Sequence, residues 1–177
     1  MAYCVVRTDL MHGTHAPEDM VPLRFYDGND ALAAVENGVI AKITALETHG
    51  TGASTTYERE IWKAVAAAGT DVLADCVLIA TPEVMYDERK RNLDEFINEA
   101  GVPARGYRLR DRNMFSLSAE GFVVVPAVGD TVYIGAGGKL TKTNPGSGAT
   151  AFGKCVHIET VGSKTFYAIQ IQIPDKT

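Results

Sequence analysis

The chain has 177 residues, of which 46% are hydrophobic and 22% charged, so it can bury a core without help from a metal or a disulfide. Its formal net charge of -5 argues against non-specific nucleic-acid binding, which needs a basic face. Three widely spaced cysteines favour reduced thiols over a disulfide framework: Cys4, Cys76 and Cys155. Because no apolar run is long enough to span a bilayer and no signal-peptide pattern is visible, we expect no membrane partner.

Residues 1–22 are predicted to form an N-terminal arm. They join a short apolar segment, "YCVVR", to a polar stretch that has two prolines, two histidines and little periodicity. Such an arm orders on binding and can add a strand to the edge of a partner's sheet. The apolar segment therefore supplies candidate partner-binding residues: Tyr3, Val5, Val6 and Arg7.

Residues 23–128 are predicted to form an α+β domain that begins with four strands. These strands lie in "LRFYDG", "VIAKITAL", "YEREIWKAVAA" and "DVLADCVLIATPEVMY". Turns at Asp27-Gly28 and Asn37-Gly38 supply the positive φ that tight connections need. The third segment also fits helical spacing, and we favour the strand.

The stretch "YDERKRNLDEFINEAG", residues 86–101, predicts one amphipathic helix over about 87–100. Asp87 can cap its start, and Gly101 suits the left-handed position after its end. Its acidic residues lie off the apolar stripe and face water, so they are not expected to act in catalysis. The apolar stripe consists of Leu93, Phe96, Ile97 and Ala100.

The remainder of the chain predicts five further short strands, and residues 129–177 are expected to pack with 23–128 as one globular unit. The strands lie in "ARGYRLR", "MFSLS", "GDTVYI", "KCVHIET" and "TFYAIQIQI". Their spacing and their Gly-, Pro-, Asn- and Ser-rich separators predict a mostly antiparallel sheet, either barrel-like or a sandwich. The last strand alternates clearly, with a buried face formed by Tyr167, Ile169, Ile171 and Ile173.

The segment "ARGYRLR" is predicted to present a row of basic side chains. Strand alternation places Tyr107 and Leu109 inward and exposes Gly106, Arg108 and Arg110. Guanidinium groups suit bidentate pairing with carboxylates on a partner protein. Pairing with acids of the predicted helix is an equal alternative. The candidate partner-binding arginines are Arg105, Arg108 and Arg110.

No catalytic or metal-binding motif is recognisable, so we expect no catalytic residue, metal or cofactor. Cys155 and His157 alternate on a predicted strand, which indicates a shared surface more often than a thiolate nucleophile. His12 and His15 have no third ligand pattern beside them apart from common loop acids. A small Cys/His-dependent enzyme is the alternative from a different class.

The phrases "LIATPEVMYDERKRNLDEFINEAGVPARGYRL" (residues 78–109), "MFSLSAEGF" and "VGDTVYI" resemble auxiliary, or decoration, proteins of the capsids of tailed bacteriophages and prophages of Gram-positive bacteria. The resemblance covers roughly residues 30–177. It implies a non-enzymatic virion protein on the capsid exterior, made in the host bacterial cytoplasm. The implied partner is the major capsid protein, with further copies of the chain as possible neighbours on the shell. A neck, tail or fibre-base subunit is the alternative virion component.

Overall fold

The computed structural model describes residues 2–49, 56–85 and 92–173, which form a β-rich protein with two sheets. The strands of these residues are β1 (Met20–Tyr26), β2 (Ile40–His49), β3 (Thr56–Ala66), β4 (Cys76–Ile79), β5 (Ala104–Arg108), β6 (Met114–Ser118), β7 (Phe122–Val124), β8 (Thr131–Ile134), β9 (Leu140–Thr141), β10 (Gly153–Val161) and β11 (Lys164–Ile171). Most strand pairs are antiparallel, which confirms the predicted sheet type. β7 and β9 were not among the predicted strands.

The first sheet is a closed barrel with the strand order β1-β3-β2-β4-β5. β1 pairs with β3 in parallel, and the other pairs are antiparallel. The interior is narrow: a Cβ atom on Gly106 would lie 2.8 Å from Leu23 Cδ2 and 2.9 Å from Val77 Cγ2. Gly106 therefore faces the barrel interior, which corrects the prediction that it is exposed. Glycine is required there because a larger side chain would overpack the core.

The second sheet has six strands in the order β6-β11-β10-β8-β9-β7. β10 and β11 form its longest hairpin, and β11 also pairs with β6. The predicted buried face of β11 is confirmed for its central positions, since Ile169 is 0% and Ile171 2% exposed. β7 lies at one edge of the sheet, where it pairs in parallel with the two-residue strand β9.

A shared hydrophobic core joins the barrel to the six-stranded sheet. Leu78 of β4 and Tyr107 of β5 belong to the same buried cluster as Leu117 and Ile169 of the second sheet. Neighbouring residues of β4, Val77 and Ile79, instead fill the barrel. β4 is thus buried on both faces, which explains why its sequence is continuously apolar rather than alternating.

The predicted helix over 87–100 is wrong. Residues 86–91 lie outside the described residues, and residues 92–100 contain one short 3₁₀ turn, Leu93–Glu95, followed by extended backbone at Phe96. In its predicted stripe, Leu93 is 52% exposed and Ala100 is exposed, whereas Asn98 is buried. Every helical segment among the described residues is a 3₁₀ turn of three or four residues.

Backbone pairing with a distant segment explains why the helix does not form. The backbone N–H of Asn98 donates to the Val35 carbonyl at 3.0 Å, and the Val35 N–H donates to the Asn98 carbonyl at 2.9 Å. The Asn98 side-chain amide also donates to the Val35 carbonyl and to Asn37 Oδ1, at 2.9 and 3.1 Å. These contacts satisfy buried polar groups that helical hydrogen bonds would otherwise occupy, so tertiary structure overrides the local pattern.

Residues 2–22, which the sequence predicts to be an arm, lie against the second sheet and the barrel. Val6 forms an antiparallel bridge with Leu117 of β6, and the Ser118 N–H donates to the Val5 carbonyl at 3.0 Å. The N-terminal segment therefore covers part of the free edge of β6. Three 3₁₀ turns then lead to β1: Thr8–Leu10, His12–His15 and Pro17–Asp19.

Candidate partner-binding surface

The predicted partner-binding residues of the N-terminal segment mostly contact their own chain. Val5 and Val6 are 2% and 3% exposed, and Tyr3 is half-buried, with its N–H donating to the Asp94 carbonyl at 2.8 Å. The Arg7 guanidinium forms ion pairs with Asp9 at 2.8 Å and Glu159 at 3.2 Å. The hydrogen bond to Asp9 is the main reason that the pKa of Arg7 is raised.

The three predicted arginines do not form one row. Arg105 and Arg108 are both exposed, but they lie three positions apart on β5 and therefore on opposite faces of the strand. Tyr107 and Leu109 are buried, at 3% and 7% exposure, as the alternation predicts.

Arg110 forms an ion pair within the chain, and its partner lies in the N-terminal segment rather than in the predicted helix. Its Nε donates to both carboxylate oxygens of Asp19, at 2.7 and 2.8 Å, and its Nη2 contacts Oδ1. The Asp19 side chain is 1% exposed, whereas that of Arg110 is 55% exposed. The hydrogen bond with Asp19 raises the pKa of Arg110 above its usual value. This ion pair fixes the end of the N-terminal segment beside β5.

The structure does not assemble a Cys155–His157 dyad. A β-bulge interrupts the pairing of β10 with β11 between these two residues. Cys155 is consequently 0% exposed, while His157 is exposed. The Cys155 thiol contacts the His157 backbone carbonyl at 3.8 Å rather than the imidazole ring. Burial raises the pKa of Cys155, so the thiolate that a nucleophile requires is disfavoured.

All three thiols are expected to react slowly in the folded protein. Burial raises the pKa of Cys4 and of Cys76 to about 12, and both side chains lie in the shared core. At pH 8 we expect a maleimide or disulfide reagent to label the native protein at least about a hundredfold more slowly than the protein in guanidinium chloride. Labelling of one native thiol at the unfolded rate would contradict this burial.

An exposed apolar feature of the second sheet lies at its β7 edge. We call it the valine ridge: Val123, Val124, Val125 and Val128, which are 52%, 38%, 39% and 60% exposed. Exposed apolar side chains concentrated in one short segment are a feature of protein–protein contact sites. The sequence carries a signal for it in the run "FVVVPAV", but only the topology shows that β7 is an edge strand.

Residues 2–49, 56–85 and 92–173 show neither a candidate metal site nor a membrane-spanning helix. Among them, no group of three or more His, Cys, Asp and Glu side chains lies close enough to hold a metal ion. No helix in these ranges has the length and apolarity needed to cross a membrane. Comparisons with protein-family models, curated proteins and solved structures find no match to the chain.

Proposed function

We propose that this chain is a non-enzymatic virion protein that decorates and stabilises the outer surface of a tailed-phage capsid by binding the major capsid protein. The observation that carries the proposal is the valine ridge at the edge of the second sheet. The resemblance of residues 30–177 to capsid decoration proteins supports the choice of partner.

The rest of the described scaffold is consistent with a rigid binding module. The closed part of the barrel has no free strand edge, although β2 beyond Lys42 and β3 before Trp62 pair only with each other. The N-terminal segment covers part of the edge of β6. The β7 edge is the exposed edge of the second sheet that carries the valine ridge, so another chain can meet it by side-chain packing or by strand addition. Complete burial of one exposed valine contributes about 1.5 kcal/mol or more, so the ridge contributes part of the binding free energy and further contacts must offset the cost of association.

The cysteine and histidine geometry favours a binding role over the alternative of a small thiol enzyme. The buried thiol of Cys155 contacts the backbone carbonyl of His157, whereas His157 itself is exposed. A nucleophile and its general base must lie within hydrogen-bonding distance of each other.

The proposal is tested by co-sedimentation of the purified protein with expanded capsids of its own phage from which the protein has been removed. We expect Val123→Asp and Val128→Asp each to weaken binding by about tenfold or more, since each places a charge in an apolar contact. The matched control is Val161→Asp at the tip of the β10–β11 hairpin, where the valine is similarly exposed at 48%. It should bind like the wild type.

Two results would count against the role. Failure of the wild-type protein to co-sediment with capsids at micromolar concentration would remove the capsid as partner. Equal binding by the ridge variants and the control would remove the valine ridge as the contact surface. A copy number per particle far below that of the capsid subunits would instead favour a neck, tail or fibre-base component.

A further inference from the structure

A second apolar surface lies on the barrel, between the chain segments that follow β4 and precede β5. We call it the apolar groove; it has a volume of about 680 Å³. Val84 and Val102, from its two walls, are 60% and 54% exposed. Among the described residues, its main apolar lining consists of Pro82, Val84, Met85, Phe96, Ile97 and Val102.

The groove continues into a smaller depression of about 290 Å³, with which it shares Thr81 and Pro103. Glu99 lines the larger part and Arg105 lines the smaller part. Both residues are exposed, and the described residues provide neither side chain with an ion-pair partner. The surface therefore has an apolar floor with a negative charge in one part and a positive charge in the other.

These features indicate a peptide rather than a small polar ligand. A small-molecule site usually directs a few polar groups into its cavity. Here the Asn98 amide, which also lines the groove, already donates to Val35 and Asn37. The lining residues lie outside the strands of the barrel, so we expect the occupant to be recognised mainly through its side chains.

We propose that the apolar groove binds an extended segment of the capsid protein with several aliphatic side chains between a basic residue and an acidic residue. The basic residue pairs with Glu99, and the acidic residue pairs with Arg105. This inference rests on the proposed function for the identity of the partner. The chemistry of the segment follows from the apolar lining and from the separated charges.

The first experiment measures binding to the same expanded capsids. Val102→Asp is expected to weaken binding by about tenfold or more, because it charges the apolar floor. Glu99→Lys is expected to weaken binding by about threefold at low salt and by less at high salt, because exposed charge pairs are screened. Val161→Asp is again the control and should leave binding unchanged.

The second experiment does not need capsids. The isotope-labelled protein is titrated with the capped peptide Lys-Val-Pro-Val-Pro-Val-Asp and with a second peptide in which Glu replaces Lys. We expect NMR shifts at Val84, Phe96 and Val102, with the Lys peptide bound about threefold more tightly. In Glu99→Lys the preference should reverse, which mere hydrophobic adsorption would not cause.

The outcomes separate the two proposals. If wild-type protein binds capsids and Val102→Asp binds equally well, the groove inference is overturned while the proposed function stands. If wild-type protein does not bind capsids, the proposed function fails, and reversal of peptide preference would retain the groove as a peptide site. Peptide shifts that map elsewhere, or that do not depend on charge, would also overturn the groove inference. The wild-type and Glu99→Lys titrations decide the matter if Val102→Asp alters the melting temperature.

Discussion

Gly138→Ala is expected to destabilise the protein by about 4 kcal/mol, a larger loss than any other glycine-to-alanine change in the same turn. Gly138 has a φ of +75°, and a Cβ atom there would lie 2.3 Å from the backbone oxygen of Ile40 in the barrel. The left-handed conformation costs an alanine about 1–2 kcal/mol. The clash with fixed backbone adds a similar or larger amount, because β2 cannot move without disturbing the barrel.

Gly137→Ala is the matched control for this prediction. Gly137 has a φ of +67°, and a Cβ atom there would meet nothing within 4 Å. It should therefore lose about 1–2 kcal/mol, from backbone strain alone. Urea unfolding of both variants measures the difference. Equal losses of unfolding free energy would contradict the close approach of Gly138, in the turn before β9, to the Ile40 backbone of β2.

Arg110→Ala is expected to lower Tm by roughly 10 °C, because it leaves the buried carboxylate of Asp19 without its counterion. Asp19 is 1% exposed and receives hydrogen bonds from the guanidinium. Breaking a buried pair from one side is more harmful than removing both charges. Asp19→Asn combined with Arg110→Ala should therefore recover several degrees of the loss.

Arg108→Ala provides the control, since Arg108 is exposed at the end of β5, two residues before Arg110, and the described residues offer its side chain no ion pair. It should change Tm by no more than about 1–2 °C. Differential scanning calorimetry at neutral pH measures all three variants. A loss for Arg108→Ala as large as that for Arg110→Ala would contradict a specific role for the Asp19 pair.

Strands were predictable from local sequence patterns, most clearly where apolar and polar residues alternate. β11 reads as a strand from its period of two, and Ile169 and Ile171 are buried as that period requires. The ambiguous segment that became β3 was correctly assigned to a strand. The continuous apolar run of β4 also indicated a buried strand, although the sequence did not show that each face packs on a different core.

The helix prediction failed because its evidence was entirely local. Capping residues and an apolar stripe describe what an isolated segment prefers, and such preferences are weak. The backbone of Asn98 instead pairs with Val35, which lies 63 residues earlier in the chain. No sequence pattern within residues 86–101 indicates that Asn98 pairs with Val35.

The sequence showed which runs are apolar, but it did not show which of them is exposed as a candidate binding surface. The apolar runs "YCVVR" and "FVVVPAV" are both visible in the sequence, yet Val5 and Val6 are buried whereas Val123 and Val128 are exposed. Their fates differ because the first run pairs with β6, while the second ends at the outer edge of the sheet. Strand order decides between these outcomes, and composition does not contain it.

The pairing of the N-terminal segment with β6 has a consequence for self-association of the chain. A sheet with two available edges can stack copies end to end into a fibre of unlimited length. Here Val5–Arg7 occupies part of the β6 edge and removes one edge through which copies could pair. A copy that adds to this end of the sheet must first displace the N-terminal segment, so stacking through the β6 edge is opposed.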